Sequence, residues 1–151
     1  LKDFLVRYVR HASMLTRAFS LTTDFTSLGD DCIVRYNMAT LRIILNSILD
    51  NAAVHGFKNF TSGTPIVHFE TEDIKEHVLL KICNNGTPID ITDRNFRTRG
   101  VFSGVTGHTG IGGYQISKYA ELQGGFVRIP TERKWNTEIH LYIKKYGTEK
   151  N

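Results

Sequence analysis

Leu1, Phe4, Leu5, Tyr8 and Val9 recur three and four residues apart, so the chain opens with an amphipathic helix over its first eleven residues. A start at residue 1 without a capping residue reads as the remnant of a connection to a preceding domain. On that reading residues 1–12 are the helix and residues 13–151 the domain proper. RAFSLTTDF and DCIVRYN are rich in β-formers and predict two strands joined around Ser27-Leu28-Gly29-Asp30. The strongest helical pattern is NMATLRIILNSILDNAAVHGF. At 100° per residue Leu41, Ile44, Leu45, Ile48 and Ala52 form one apolar stripe, and Gly56 is placed to end it. TPIVHFETE and HVLLKIC predict an antiparallel hairpin. From Asn84 to Thr109 the periodicity disappears, which predicts a long functional loop. A second helix is expected over Tyr114 to Leu122, stopping at Gly124 and Gly125. FVRIPTE and EIHLYIKK then predict another hairpin, with Ile139, Leu141 and Ile143 alternating inward. Strands in consecutive pairs with helices between them favour an α+β class: a two-layer α/β sandwich whose mixed, mainly antiparallel sheet carries helices on one face.

Composition narrows the function without naming it. A chain of 151 residues fits one domain with its own core. No apolar run approaches the length of a membrane span, so this stretch is expected to make no membrane contact. The first residues carry scattered charges and lack the h-region of a signal peptide. A net charge of +4, spread rather than massed, tolerates polyphosphate but does not call for nucleic acid. Cys32 and Cys83 have no partner at metal-ligand spacing, which fits reduced thiols and a cytoplasmic location.

GVTGHTGIGGY, at residues 104–114, holds five glycines immediately before the second helix. Such a run implies unusual backbone conformation or close approach to a ligand. A helix start offers free N–H groups to an anion. Two phosphate-binding loops are excluded. Gly113 stands where a Walker loop needs lysine, and Gln115 stands where the dinucleotide fingerprint needs its last glycine.

Three separated segments together resemble the ATP-binding domain of the gyrase, heat-shock chaperone, histidine kinase and mismatch-repair ATPase superfamily. The nearest likeness is to the catalytic domain of sensor histidine kinases. LRIILNSILDNAAVHG resembles that family's asparagine box, VLLKICNNGTPI its first glycine box, and GHTGIGGYQISKYAELQGG the glycine box that follows the ATP lid. WNTEIHLYI is a weaker echo of the last box, and the likeness runs from about residue 20 to residue 145. The resemblance implies a Bergerat-type fold, ATP and Mg2+ as cofactors, and γ-phosphate transfer to a histidine on a separate dimerisation domain, with a response regulator downstream.

Carried over residue by residue, Asn51 matches the asparagine that ligates the magnesium bridging the triphosphate. Its place on the rim of the apolar stripe, about 280° from Leu41, agrees independently. His55 matches a position that borders the nucleotide. Asn84 stands where the family has the aspartate that accepts from the adenine amino group, with Gly86 in the following turn. Gly107, Gly110 and Gly112 match the glycines that admit phosphate to the second helix. Thr137 matches the threonine of the last box. Ser47 occupies the position of the water-activating glutamate in the gyrase-type enzymes, and serine has no useful basicity there. That favours transfer over hydrolysis. Lys58 and the lid residues Arg97 and Arg99 are further phosphate candidates, beside Arg94, because Val54 replaces a phosphate-contacting lysine. No catalytic residue is assigned beyond the nucleotide site. Asn84, Val54 and Pro88, the last in place of a glycine, depart from the pattern, as does Asn136 before Thr137. Two alternatives stay open: a nucleotide-binding module without kinase activity, and a serine kinase of the anti-sigma-factor type on the same fold.

Overall fold

The computed structural model describes residues 1–98 and 111–147. The first helix, α1, spans Lys2–Leu15, and strand β1 spans Ser20–Asp24. Helix α2 covers Met38–Asn51. Its start is fixed by Asn37, whose side chain accepts the N–H of Thr40 at 3.0 Å, satisfying one of the orphan donors of the first turn. The helical path continues through one wide π turn, Ala52–Gly56, in which Phe57 N–H reaches back to Ala52 O. Strands β2 (Ile66–Asp73) and β3 (His77–Asn84) form the expected antiparallel hairpin. A four-residue helix α3 (Asp93–Phe96) follows, then α4 (Ile111–Leu122), β4 (Phe126–Arg128) and β5 (Thr137–Lys144).

The sheet order is β1-β2-β3-β5-β4, so β1 and β4 are its borders. All pairings are antiparallel except β1 with β2, which is parallel. Alternation sends Val78, Leu80 and Ile82 of β3 to the same face as their partners Ile143, Leu141 and Ile139 of β5. Leu5, Tyr8 and Val9 of α1, the Leu41–Leu49 stripe of α2, and Ile116 and Ala120 of α4 cover that face. Phe69 of β2 is fully buried beneath Tyr8, with ring centroids 6.4 Å apart. The opposite face is roofed by long side chains instead of helices. Lys81 lies between Glu70 and Glu72 at 3.0 and 3.2 Å, and His68 stacks on Trp135 at 5.4 Å. Beneath them the Cys83 thiol is pushed up to about 12, first by burial and then by the Glu138 carboxylate, so it stays protonated.

Two sequence expectations change. DCIVRYN is not a strand partner of β1; it makes one bridge, Val34 to Lys145, on the other side of the sheet. After β1 the chain crosses the end of the sheet to reach the end of β5, and α2 then makes the return that the parallel pairing of β1 with β2 needs. Phe25 and Leu28 are buried on the way. Residues 33–35 then extend the sheet past the end of β5, with Arg35 N–H on Lys144 O and Tyr146 N–H on Ile33 O. The expected long loop after Asn84 contains α3, capped by Thr92, whose hydroxyl oxygen accepts the N–H of Asn95 at 3.1 Å. The predicted end of α4 is where it falls: Gly124, at φ +78, reverses the chain while Gly125 N–H bonds back to Ala120 O.

Candidate functional site

The residues singled out in the sequence lie on four elements that meet at one end of the sheet. Asn84 ends β3 and stands directly opposite Thr137, the first residue of β5. Both are buried on the helical face. The chain then turns through Asn85, Gly86 and Thr87 and packs against the end of the π turn. Thr87 donates its N–H to Gly56 O at 2.8 Å, and a Cβ on Gly86 would sit 2.4 Å from that same oxygen. Glycine at 86 is therefore required by a backbone-to-backbone approach. Gly56 also lies beside the Asn84 side chain, at a looser spacing: a Cβ there would lie 3.4 Å from Asn84 Oδ1.

From Gly56 the helix leads back to His55, which is half-buried, and to Asn51, about 7 Å earlier along the axis at 1.5 Å per residue. The Asn51 amide faces the first turn of α4: a Cβ on Gly112 would approach its nitrogen to 3.5 Å. Among the described residues Asn51 makes no side-chain hydrogen bond, so its carbonyl oxygen is available to a ligand. Among those residues, too, no group of three carboxylate, histidine or cysteine side chains stands in position for a metal. A divalent ion at Asn51 would thus take most of its shell from phosphate oxygens and water. That suits magnesium, which binds through few protein ligands beside a triphosphate. Ser47 is half-buried one turn before Asn51, Val54 is exposed, and Lys58 is exposed just beyond the π turn.

Gly107, Gly110 and Arg99 lie outside the described residues. Arg94 is exposed. Arg97 is engaged: its guanidinium pairs with Asp93 at 2.8 Å, so contact with a phosphate would require exchange of that partner. Asp93 is a residue that sequence reading passed over. One carboxylate oxygen holds Arg97, and the other accepts the N–H of Ile129 at 2.7 Å, tying α3 to the chain after β4. The backbone of Phe96 in turn meets Gly113, where a Cβ would be 2.4 Å from Phe96 O. The two ends of the 97–112 segment are thereby anchored together. Asp93→Ala is expected to cost about 1–2 kcal/mol, because it strands a part-buried backbone N–H and an arginine. Urea unfolding of the two proteins measures the difference, and equal midpoints would assign Asp93 no anchoring role.

Asn136 was also missed as a contributor. Its amide donates to Gly86 O at 2.9 Å and to Asn85 O at 3.3 Å, clamping the turn from the position just before β5. Pro88 gives that stretch no N–H, and the Asn136 amide ties the turn across the end of the sheet. Neither contact has a local sequence signal, since each spans about fifty residues.

No protein-family model matches the chain, and no curated protein sequence matches it. Solved structures do. The ATP-binding domain of PrrB from Mycobacterium tuberculosis superposes with a TM-score of 0.70 at 19% identity, covering 95% of this chain and 92% of that one. The mycobacterial sensor histidine kinase MprB gives 0.64 at 15% identity, over 95% and 93%. Full-length ShkA, solved in complex with AMPPNP, gives 0.67 at 17% identity, over 95% of this chain and 29% of ShkA. The chain has the fold of the ATP-binding catalytic domains of sensor histidine kinases, a mixed five-stranded sheet layered with helices.

Proposed function

We propose that this domain binds a magnesium nucleoside triphosphate, ATP in the family its motifs resemble, and presents the γ-phosphate to a histidine on a dimerisation domain. One observation carries the reading. Asn84 and Thr137, the Gly56–Gly86 contact, Asn51 and the start of α4 lie in sequence along one path, with a polar base end and a helix N-terminus at the phosphate end. Asn84, Gly86 and Thr137 would receive the base and His55 would border the nucleotide. Asn51 would hold Mg2+, and Gly112 would let the α4 amides approach phosphate. Gly107 and Gly110, with Lys58, Arg97 and Arg99 as cation donors, complete the assignment. Bound magnesium would neutralise charge on the phosphates, and the protein's own task is positioning. Ser47 in place of a general base fits transfer rather than hydrolysis. A response regulator would receive the phosphoryl group downstream, in the cytoplasm; no helix among the described residues is long and apolar enough to cross a membrane.

The test is calorimetric titration of the chain and of Asn51→Ala with non-hydrolysable triphosphate analogues, with and without magnesium. Magnesium-dependent binding that weakens at least about tenfold in the variant is expected from loss of a metal ligand. A folded chain that binds no analogue would overturn the reading. The exposed Val54 at the phosphate end favours one second reading, a nucleotide-binding module without phosphotransfer. Binding without transfer to any histidine domain would select it.

A further inference from the structure

We propose that Asn84 turns the base end of this site toward purines that carry an oxygen, rather than an amino group, at position 6. The inference rests on the nucleotide reading above and deepens it. The Asn84 side chain is fixed from one side: its Oδ1 accepts the buried N–H of Gly86 at 3.0 Å. That N–H can face only an acceptor, so the amide cannot flip without setting two donors against each other. The NH2 end is what remains. Among the described residues Nδ2 has no hydrogen-bond partner, although Asn84 is only 8% exposed. The sealed and unpartnered side-chain atoms of the described residues are Tyr36 Oη, Arg97 Nε and His140 Nε2. Asn84 Nδ2 is not one of them, so it keeps some accessible surface, on a residue that stands opposite Thr137 at the end of the sheet where the other site residues gather.

An unpartnered but accessible donor on a residue nine-tenths buried is suited to recognise a ligand acceptor. An aspartate at this position would offer the Gly86 N–H one oxygen and the base the other. Asparagine offers the base a donor. The 6-amino group of adenine is itself a donor and would leave both groups unsatisfied, whereas O6 of guanine or hypoxanthine accepts. Sites that leave a buried polar group unpaired reject the mismatched ligand far more strongly than sites that merely lose an apolar contact.

The experiment compares imidodiphosphate analogues of inosine, guanosine and adenosine triphosphate, each with magnesium, on the unaltered chain and on Asn84→Asp. Inosine and adenosine differ only at the edge that Asn84 would read. The unaltered chain is expected to bind the inosine and guanosine analogues about tenfold or more tighter than the adenosine analogue, the equivalent of one satisfied hydrogen bond. Asn84→Asp, checked for folding by circular dichroism, is expected to shift the inosine-to-adenosine ratio back toward adenosine. Equal or tighter binding of the adenosine analogue by the unaltered chain would overturn the inference and leave the nucleotide site standing. A ratio unchanged in Asn84→Asp would also overturn it, by placing the selectivity elsewhere. If none of the three binds the folded chain, the nucleotide reading falls and the base assignment with it.

Discussion

Gly86→Ala is expected to destabilise the domain by about 2–3 kcal/mol and to remove most nucleotide binding at 25 °C. The new methyl group would stand 2.4 Å from Gly56 O and 2.7 Å from Gly56 C. Those are backbone atoms at the end of a helical run, not the tip of a side chain that can swing away. Relief requires the turn and the π turn to separate, which stretches the 2.8 Å bond from Thr87 N–H to Gly56 O. The same movement withdraws the Gly86 N–H from Asn84 Oδ1 and the Gly86 carbonyl from the Asn136 amide. Urea unfolding gives the stability change, and titration of the remaining folded protein gives the binding change. A variant with the parent's midpoint would mean that the two segments are not in contact in solution.

Phe69→Ala carries the other large effect, about 3–5 kcal/mol of stability, from lost transfer energy and the cavity left behind. Phe69 has no exposed surface and sits at mid-strand in β2 beneath the Tyr8 ring. Tyr8 is itself held, because its hydroxyl donates to Asn46 of α2 at 2.8 Å, so α1 cannot simply settle into the gap. A domain of this size has only about 5–15 kcal/mol to lose, and the variant should melt well below the parent. Its consequence for the site differs from that of Gly86→Ala. Below its melting range the variant should bind nucleotide with nearly unchanged affinity, since Phe69 pairs with Ile82 inside the sheet and is not one of the residues assigned to the nucleotide. Thermal unfolding and titration together separate the two classes, and a loss under 1 kcal/mol would show that the core collapses around the missing ring.

The difference between these positions mirrors what could be read from the chain. Leu141 announces itself by the alternation of Ile139, Leu141 and Ile143, Phe69 and Leu80 by the β-rich runs that hold them, and the α2 stripe by its 3.6 period, because burial of one face is a local property of sequence. Both hairpins were legible for the same reason. The parallel seating of β1 on β2 was not, because Ser20 and Ile66 are far apart in sequence and nothing near either specifies the other. A strand reading of DCIVRYN followed from its β-rich composition. The path of the chain across the sheet end to β5 overrode it, and composition cannot report such a path. Helix α3 is too short to show a period. At the site, Asn51, Asn84 and Gly86 stood out through motif spacing. The roles of Asn136 and Asp93 depend on distant backbone groups and became visible only with the chain folded.

The sheet's borders bear on how the domain behaves in a crowded solution. An open strand edge is a template for another chain, and long, flat, apolar edges invite association. Here one border is the five-residue β1, whose exposed positions are Ser20, Thr22, Thr23 and Asp24. The other, β4, has three residues and presents Arg128 to solvent. The longer apolar strands lie between them: β3 is paired along both sides, and β2 and β5 are left unpaired by the border strands near one end each, at 71–73 and 137–139. Copies of this domain should therefore resist sheet-to-sheet aggregation even when partial unfolding loosens the helices above the core.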